Sequence, residues 1–277
     1  MNSASPIGIF DSGYGGLTVF RKIREALPSH DFVYLGDNAR APYGTRSFDV
    51  VYAFTRQAVF RLFEAGCPLV VLACNTASAK ALRTIQQQDL PRSRDPSRRV
   101  LGVIRPTVEA LDALSRTKHV GVLATPGTIA SESYALEIAK LFPHMRVTGE
   151  ACPMWVPLVE NREIDTPGAD YFVRRHLEAL FSRDPRIDTL VLGCTHYPLL
   201  LEKIRRHVPA GVRVCPQGER VAEALVDYLR RHPEMDERLS KNGKTEFFTT
   251  ESPERFSENA AVFLGAPAPA EKIVLEK

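Results

Sequence analysis

Short apolar or β-branched runs alternate along this chain with longer segments of helical period. Ile7–Phe10, Phe32–Leu35, Leu69–Leu72, Val100–Val103, Val120–Leu123, Arg146–Thr148, Thr189–Leu192 and Val212–Val214 are predicted strands. Between them, Leu17–Leu27, Asp49–Ala65, Ser78–Gln88, Val108–Leu114, Ser131–Leu141, Ala169–Phe181, Leu199–His207 and Arg220–Arg231 have the length and pattern of helices. Short continuous apolar runs such as Leu69–Leu72 suit strands covered on both faces. Their regular alternation with helices predicts an α/β fold in which parallel sheets are flanked by helices.

The chain also repeats itself. Leu69-Val70-Val71-Leu72-Ala73-Cys74-Asn75-Thr76 has a counterpart 120 residues later in Thr189-Leu190-Val191-Leu192-Gly193-Cys194-Thr195-His196. Ile7-Gly8-Ile9-Phe10 has a weaker one in Val120-Gly121-Val122-Leu123, offset by 113 residues. Two similar offsets imply two related α/β halves. Both echoed cysteines follow a strand at its C-terminal end, where open α/β sheets bind ligands, so facing halves would bring both thiols to one cleft. The stretch Asp89–Arg99, rich in Pro, Ser and Arg and without apolar period, is the expected crossing between the halves. Its four arginines are read as a solvated surface loop rather than a phosphate site.

Composition narrows the class. The 277 residues, 44% of them hydrophobic and 25% charged, are enough for one or two domains with a real core. A net charge of +3 gives no footprint for nucleic acid. Five cysteines, an odd number without framework spacing, are expected to be reduced thiols of a cytoplasmic protein. The opening residues have neither the basic nor the apolar region of a signal peptide, and no run approaches the roughly 18 apolar residues of a membrane span.

Four strand ends carry the candidate chemistry. Asp11-Ser12-Gly13-Tyr14-Gly15-Gly16 is a glycine-rich turn, but its spacing is neither a dinucleotide fingerprint nor a phosphate loop. What remains is a turn able to hold a carboxylate on backbone N–H groups, with Asp11 either capping the helix or accepting a proton. Tyr43-Gly44 closes a polar loop after the second strand and offers backbone approach beside a hydroxyl. Cys74-Asn75-Thr76 and Cys194-Thr195-His196 are the echoed ends. No C-x-x-C or tight Cys/His pair supplies a tetrahedral metal site, and no resolving cysteine lies close in sequence. Paired acid and base thiols fit better, since a helix start or His196 can stabilise a thiolate. Cys67, Cys152 and Cys215 are read as packing residues or spare thiols. The two prolines of Ala151–Glu160 predict an extended loop, in which Glu160 is either an ordinary helix-start carboxylate or a partner of His196.

FDSGYGGLTV, GDNARAPYGTRS, VLACNTASA, ACPMWVPLVE and LVLGCTHYPLL, in this order and spacing, resemble the cofactor-independent glutamate racemases of the aspartate/glutamate racemase family, from Ile7 to about His207. The resemblance implies two pseudosymmetric α/β domains with the active site between them, the first formed by 1–98 plus 211–277 and the second by 99–210. It implies Cys74 as the base toward D-glutamate and Cys194 as the base toward L-glutamate. Asp11 then assists Cys74, while His196, backed by Glu160, assists Cys194. Substrate contacts are implied at Asp11, Ser12, Tyr43, Gly44, Asn75, Thr76, Thr195 and His196. No metal or other cofactor is implied, and none of these motifs holds a lysine in a pyridoxal context. The partner is glutamate, with no nucleic acid and no membrane. A homodimer is expected, and the product would serve cell-wall peptidoglycan synthesis.

Departures from the pattern are Trp155, where a smaller aromatic is usual, and Cys215-Pro216-Gln217-Gly218, which replaces a more acidic strand end. Few residues precede Ile7, so activity without a cell-wall precursor as activator is expected. Two rivals remain. An aspartate racemase would share the paired cysteines but usually carries Glu where His196 stands, and a binding protein would not need both thiols in one cleft.

Overall fold

In the computed structural model, which describes residues 5–275, ten strands form two parallel sheets. In chain order they are β1 (Ile7–Asp11), β2 (Phe32–Gly36), β3 (Leu69–Leu72), β4 (Arg99–Gly102), β5 (His119–Ala124), β6 (Arg146–Ala151), β7 (Thr189–Gly193), β8 (Arg213–Cys215), β9 (Thr245–Thr249) and β10 (Glu271–Lys272). The first sheet runs β10-β9-β2-β1-β3-β4 and the second β6-β5-β7-β8. Removing the two C-terminal strands leaves β2-β1-β3-β4, the same order as the second sheet, with β5 in the place of β1 and β7 in that of β3. The sequence echo is therefore a repeat of topology. In each half the chain moves from the first strand to one side and then crosses to the other, so the ends of β1 and β3, and of β5 and β7, flank the point where a parallel sheet opens a crevice.

Both faces of each sheet are covered. Ile7, Ile9, Leu69 and Val71 join a core that runs through Val103 into Leu123 and Leu192 of the second half. Phe10, Val70 and Leu72 point the other way, against Val51, Val59 and Leu62 of the helix Phe48–Glu64. In the second half Val120, Val122 and Val191 pack on Ile104, Val108, Tyr134 and Ile138. Successive strand residues point to opposite faces, and both faces are apolar, so the strands read as continuous runs.

Asp89–Arg99 is not the crossing between halves. β4 pairs with β3, matching Leu69 to Arg99 and Leu72 to Gly102, so this stretch, a short helical turn at Leu90–Arg92 followed by an irregular segment, connects elements within the first half. The crossing follows Gly102, where the helix Ile104–Glu109 passes to the second core. The return follows Cys215, because β8 pairs with β7 and the next helix, Gly218–Arg231, packs on the helix Leu17–Ala26. Boundaries at 98/99 and 210/211 would each cut a strand from its sheet, since backbone pairing outweighs the composition of the adjoining loop.

Three further segments differ from expectation. Trp155–Glu160 is a short helix rather than an extended loop, because Pro157 falls in its first turn, where a missing N–H breaks no helical bond. The helix expected at Ser78 begins at Asn75 and is interrupted at Ala81. The helix expected over Ser131–Leu141 starts at Ser133, after Glu132, whose φ is 54°, and an unexpected short helix, Pro126–Ala130, precedes it. No helix among the described residues is long and apolar enough to cross a membrane.

Candidate active site

The four strand ends at the two crevices meet across the seam between the halves. Cys74 follows β3 and caps the helix Asn75–Lys80, its Sγ accepting from the Ala77 N–H at 3.4 Å. Ser12, after β1, lies 3.4 Å from the same sulfur through its hydroxyl. Asp11 is buried behind Ser12 and accepts from the Gly13 N–H at 2.9 Å through Oδ2, while Oδ1 has no hydrogen-bond partner. Burial pushes its carboxyl above the usual range, and the facing charge of His196 opposes that. The Cys74 thiol is pushed up to about 12, first by burial and then by the Asp11 charge, against the pull of Ser12 and the Ala77 N–H. Cys74 is thus a proton-bearing thiol at neutral pH.

Cys194 follows β7, and its Sγ lies 3.8 Å from His196 Nδ1. The other ring nitrogen, Nε2, lies 3.0 Å from Glu160 Oε1. Burial alone would lower the imidazole, but hydrogen bonding to Cys194 and to Glu160, with their charges, outweighs it and raises His196 to about 10. The ring is therefore an imidazolium across the neutral range, held between a sulfur and a carboxylate. Phe263, on the helix Pro253–Leu264, meets its ring edge-on at a centroid distance of 5.5 Å.

Close contact between the halves depends on Gly15. A Cβ there would lie 2.4 Å from both His196 Nδ1 and Thr195 Oγ1, so only glycine lets the first-half turn lie against the second-half loop. Thr18 Oγ1 donates to the Thr195 carbonyl at 2.9 Å across the same seam, and the Gly127 N–H donates to the Gly44 carbonyl at 2.7 Å.

One cavity of about 260 Å³ is lined by both thiols and by Ser12, Tyr43, Gly44, Asn75, Thr76, Thr195, His196 and Glu160. It is smaller than the roughly 300–1,000 Å³ typical of drug-sized ligands and suits a molecule of amino-acid size. Asp11 is the one implied contact residue outside this lining. Tyr43 lines the cavity, and its hydroxyl donates to the buried carboxylate of Asp37, which leaves the oxygen only as an acceptor. Cys152, read as a packing residue, is fully buried and also borders the cavity. Trp155 is buried edge-on against Tyr197, with ring centroids 4.8 Å apart.

Sequence reasoning missed Thr125. It follows β5, lines the cavity, and shares hydrogen bonds with Thr76 and Thr128 at 3.0 and 3.1 Å. The internal repeat held the signal, since the offset of 113 that aligns Leu123 with Phe10 also aligns Thr125 with Ser12.

Two matched α/β halves bring a thiol each to one cavity at their seam, each thiol beside its own polar neighbours. Residues 7–224 match the Asp/Glu/Hydantoin racemase family, and the chain belongs to that family. As a member it is an isomerase of the racemase class. It is 42% identical over 268 residues to a glutamate racemase of Roseobacter denitrificans, covering 93% of this chain and 96% of that protein. The crystal structure of a glutamate racemase isoform from Bacillus anthracis superposes with a TM-score of 0.88 at 36% identity, covering 99% of this chain and 98% of that one. That of a glutamate racemase from Francisella tularensis in complex with D-glutamate gives 0.86 at 32% identity, covering 100% and 99%.

Proposed function

We propose that this protein interconverts L- and D-glutamate by a cofactor-independent transfer of the Cα proton between two cysteines, and that the D-glutamate serves peptidoglycan synthesis. The observation that carries the reading is the placement of Cys74 and Cys194 at equivalent ends of β3 and β7 on one cavity, each with its own polar neighbours. The similarity to glutamate racemases supports glutamate rather than aspartate as substrate.

A proton beside a carboxylate is weakly acidic, and inversion requires its removal from one face and its replacement on the other. A single immobile base reaches only one face. With L-glutamate bound, a thiolate at Cys194 takes the Cα proton while the electron pair delocalises into the α-carboxylate. The thiol of Cys74 then gives its proton to the opposite face. Cys194 ends as thiol and Cys74 as thiolate, and exchange with water resets the pair. The imidazolium of His196 compensates the starting thiolate, and Ser12 with the Ala77 N–H stabilises the thiolate formed at Cys74. D-Glutamate follows the same path in reverse.

Circular dichroism of L-glutamate reads the reaction directly, with L-aspartate as comparison. Cys74→Ala and Cys194→Ala should each abolish racemisation and leave the far-ultraviolet spectrum unchanged. In deuterated water, early D-glutamate should carry deuterium at Cα while recovered L-glutamate stays protiated. Label accumulating first in the recovered substrate would point to one exchanging base and overturn the two-thiol reading.

A further inference from the structure

Asn75, beside Cys74 on the cavity wall, belongs to a closed ring of three buried hydrogen bonds that draws on three parts of the chain. Its Nδ2 donates to Gln217 Oε1 at 2.6 Å, Gln217 Nε2 donates to the Tyr134 hydroxyl at 2.6 Å, and that hydroxyl donates back to Asn75 Oδ1 at 2.7 Å. Asn75 starts a helix of the first half, Tyr134 lies on a helix of the second, and Gln217 sits on the segment that returns between them. None of the three is more than 4% exposed.

The direction of every bond is determined by a fourth residue. Thr107 Oγ1 spends its only hydrogen on the Val103 carbonyl, at 2.8 Å, and must accept from Gln217, at 2.9 Å. Nε2 of Gln217 therefore faces Thr107 and Tyr134, and Oε1 faces Asn75. Asn75 can answer an acceptor only with Nδ2, and its Oδ1 is left to Tyr134. One Nδ2 hydrogen goes to Gln217 and the second remains for the cavity. A rotation of the Asn75 amide by 180° would set acceptor against acceptor at Gln217 and donor against donor at Tyr134.

The geometry points to Gln217 and Tyr134 as positioning residues that hold the Asn75 amide with an N–H toward the cavity, where it donates to a carboxylate of the bound amino acid. This inference rests on the proposed glutamate reading and extends it to residues that never touch substrate. Because the ring spans both halves and the return segment, it also ties the orientation of this donor to the packing of the halves at the seam. The Gln217 position, one of the departures noted in the sequence, acts here through its amide. A carboxylate in its place has no hydrogen for Tyr134 or Thr107.

The test is a double-mutant cycle read by KM. An amide donor that contacts the substrate carboxylate in ground state and transition state alike contributes uniform binding, whose loss raises KM and leaves kcat nearly unchanged. Gln217→Leu and Tyr134→Phe should each raise KM for both enantiomers, by about tenfold for the former, in line with loss of an oriented hydrogen bond to a charged group. Asn75→Ala should do the same, and adding Gln217→Leu or Tyr134→Phe to Asn75→Ala should raise KM no further. Equal effects in both backgrounds would mean that the ring acts by packing alone and would overturn the inference, as would an unchanged KM in Asn75→Ala. Tyr134→Phe removes one hydroxyl and keeps the ring's volume, so it carries the test if Gln217→Leu does not fold. Inactivity of the parent chain toward glutamate would instead refute the functional reading, whereas an active parent with unresponsive variants refutes only this inference.

Discussion

The closeness of the two halves at Gly15 can be tested by adding a single methyl group. Gly15 does not have a positive φ, so Gly15→Ala introduces no backbone strain and the perturbation is the Cβ itself. That atom would stand 2.4 Å from His196 Nδ1 and from Thr195 Oγ1, and 2.6 Å from His196 Cε1, where ordinary contact begins at 3.4 Å. The His196 ring must therefore retreat by about 1 Å, or the halves must part by as much. Either movement acts on a chain of contacts set at 3.8 Å to Cys194 and 3.0 Å to Glu160. A misplacement of about 1 Å in a catalytic arrangement costs on the order of 100-fold in rate, and overpacking costs about 1–3 kcal/mol in stability. We expect kcat/KM to fall about 100-fold by circular dichroism. The fall must be equal for L- and D-glutamate, because enantiomers have equal free energy in water. Thermal unfolding should shift down by several degrees, roughly 2–4 °C per kcal/mol for a chain of this size. A variant with kcat/KM within about threefold of the parent, which is under 1 kcal/mol of barrier, would show that contact at Gly15 is not what holds His196 in place.

His196→Asn should change kcat and KM unequally for the two enantiomers while the ratio kcat/KM stays equal in both directions, and Asp11→Asn should give the opposite imbalance; equal losses of kcat in both directions with unchanged KM would show that these residues do not serve separate thiols. Asp31 offers a test of stability remote from the cavity. It is buried, which raises its carboxyl, but hydrogen bonds from the Lys244 N–H and from the side chain and N–H of Asn242 outweigh that and hold it at about 2. A carboxyl at about 2 when folded and near 3.9 when unfolded contributes on the order of 2 kcal/mol, present above pH ~4 and lost as pH falls through about 2. Asp31→Asn should therefore destabilise by about that amount at pH 7 in urea unfolding, with the difference shrinking below pH ~3; a difference that does not change with pH would refute the assignment.

Sequence alone carried this protein a long way where chemistry and period coincide. The strands β1, β2, β3, β5 and β7 were legible because burial on both faces makes each a largely apolar run, and the two cysteines because the repeat placed them at equivalent strand ends. β9 and β10 were not legible: Thr245–Thr249 is half exposed and carries Glu246, and Glu271–Lys272 is two exposed charged residues, so neither shows the apolar signature of a buried strand. The start of the helix at Asn75 was hidden because its cap is a thiol rather than the Ser, Thr, Asp or Asn that usually marks one.

Tertiary structure alone decided which residues meet. Hydrogen-bond pairing, a long-range property, put β4 with β3 and β8 with β7 against the suggestion of the loop between. The turn of the Tyr43 hydroxyl toward Asp37, the place of Asp11 behind Ser12, and the pairing of Glu160 with His196 across 36 residues follow from side-chain direction and burial, which no local period encodes. The same holds for the ring of Asn75, Tyr134 and Gln217, whose members are 59 and 142 residues from Asn75. A polar residue in sequence looks the same whether it will face water or a partner; only burial, which makes an unsatisfied group costly, selects the partner.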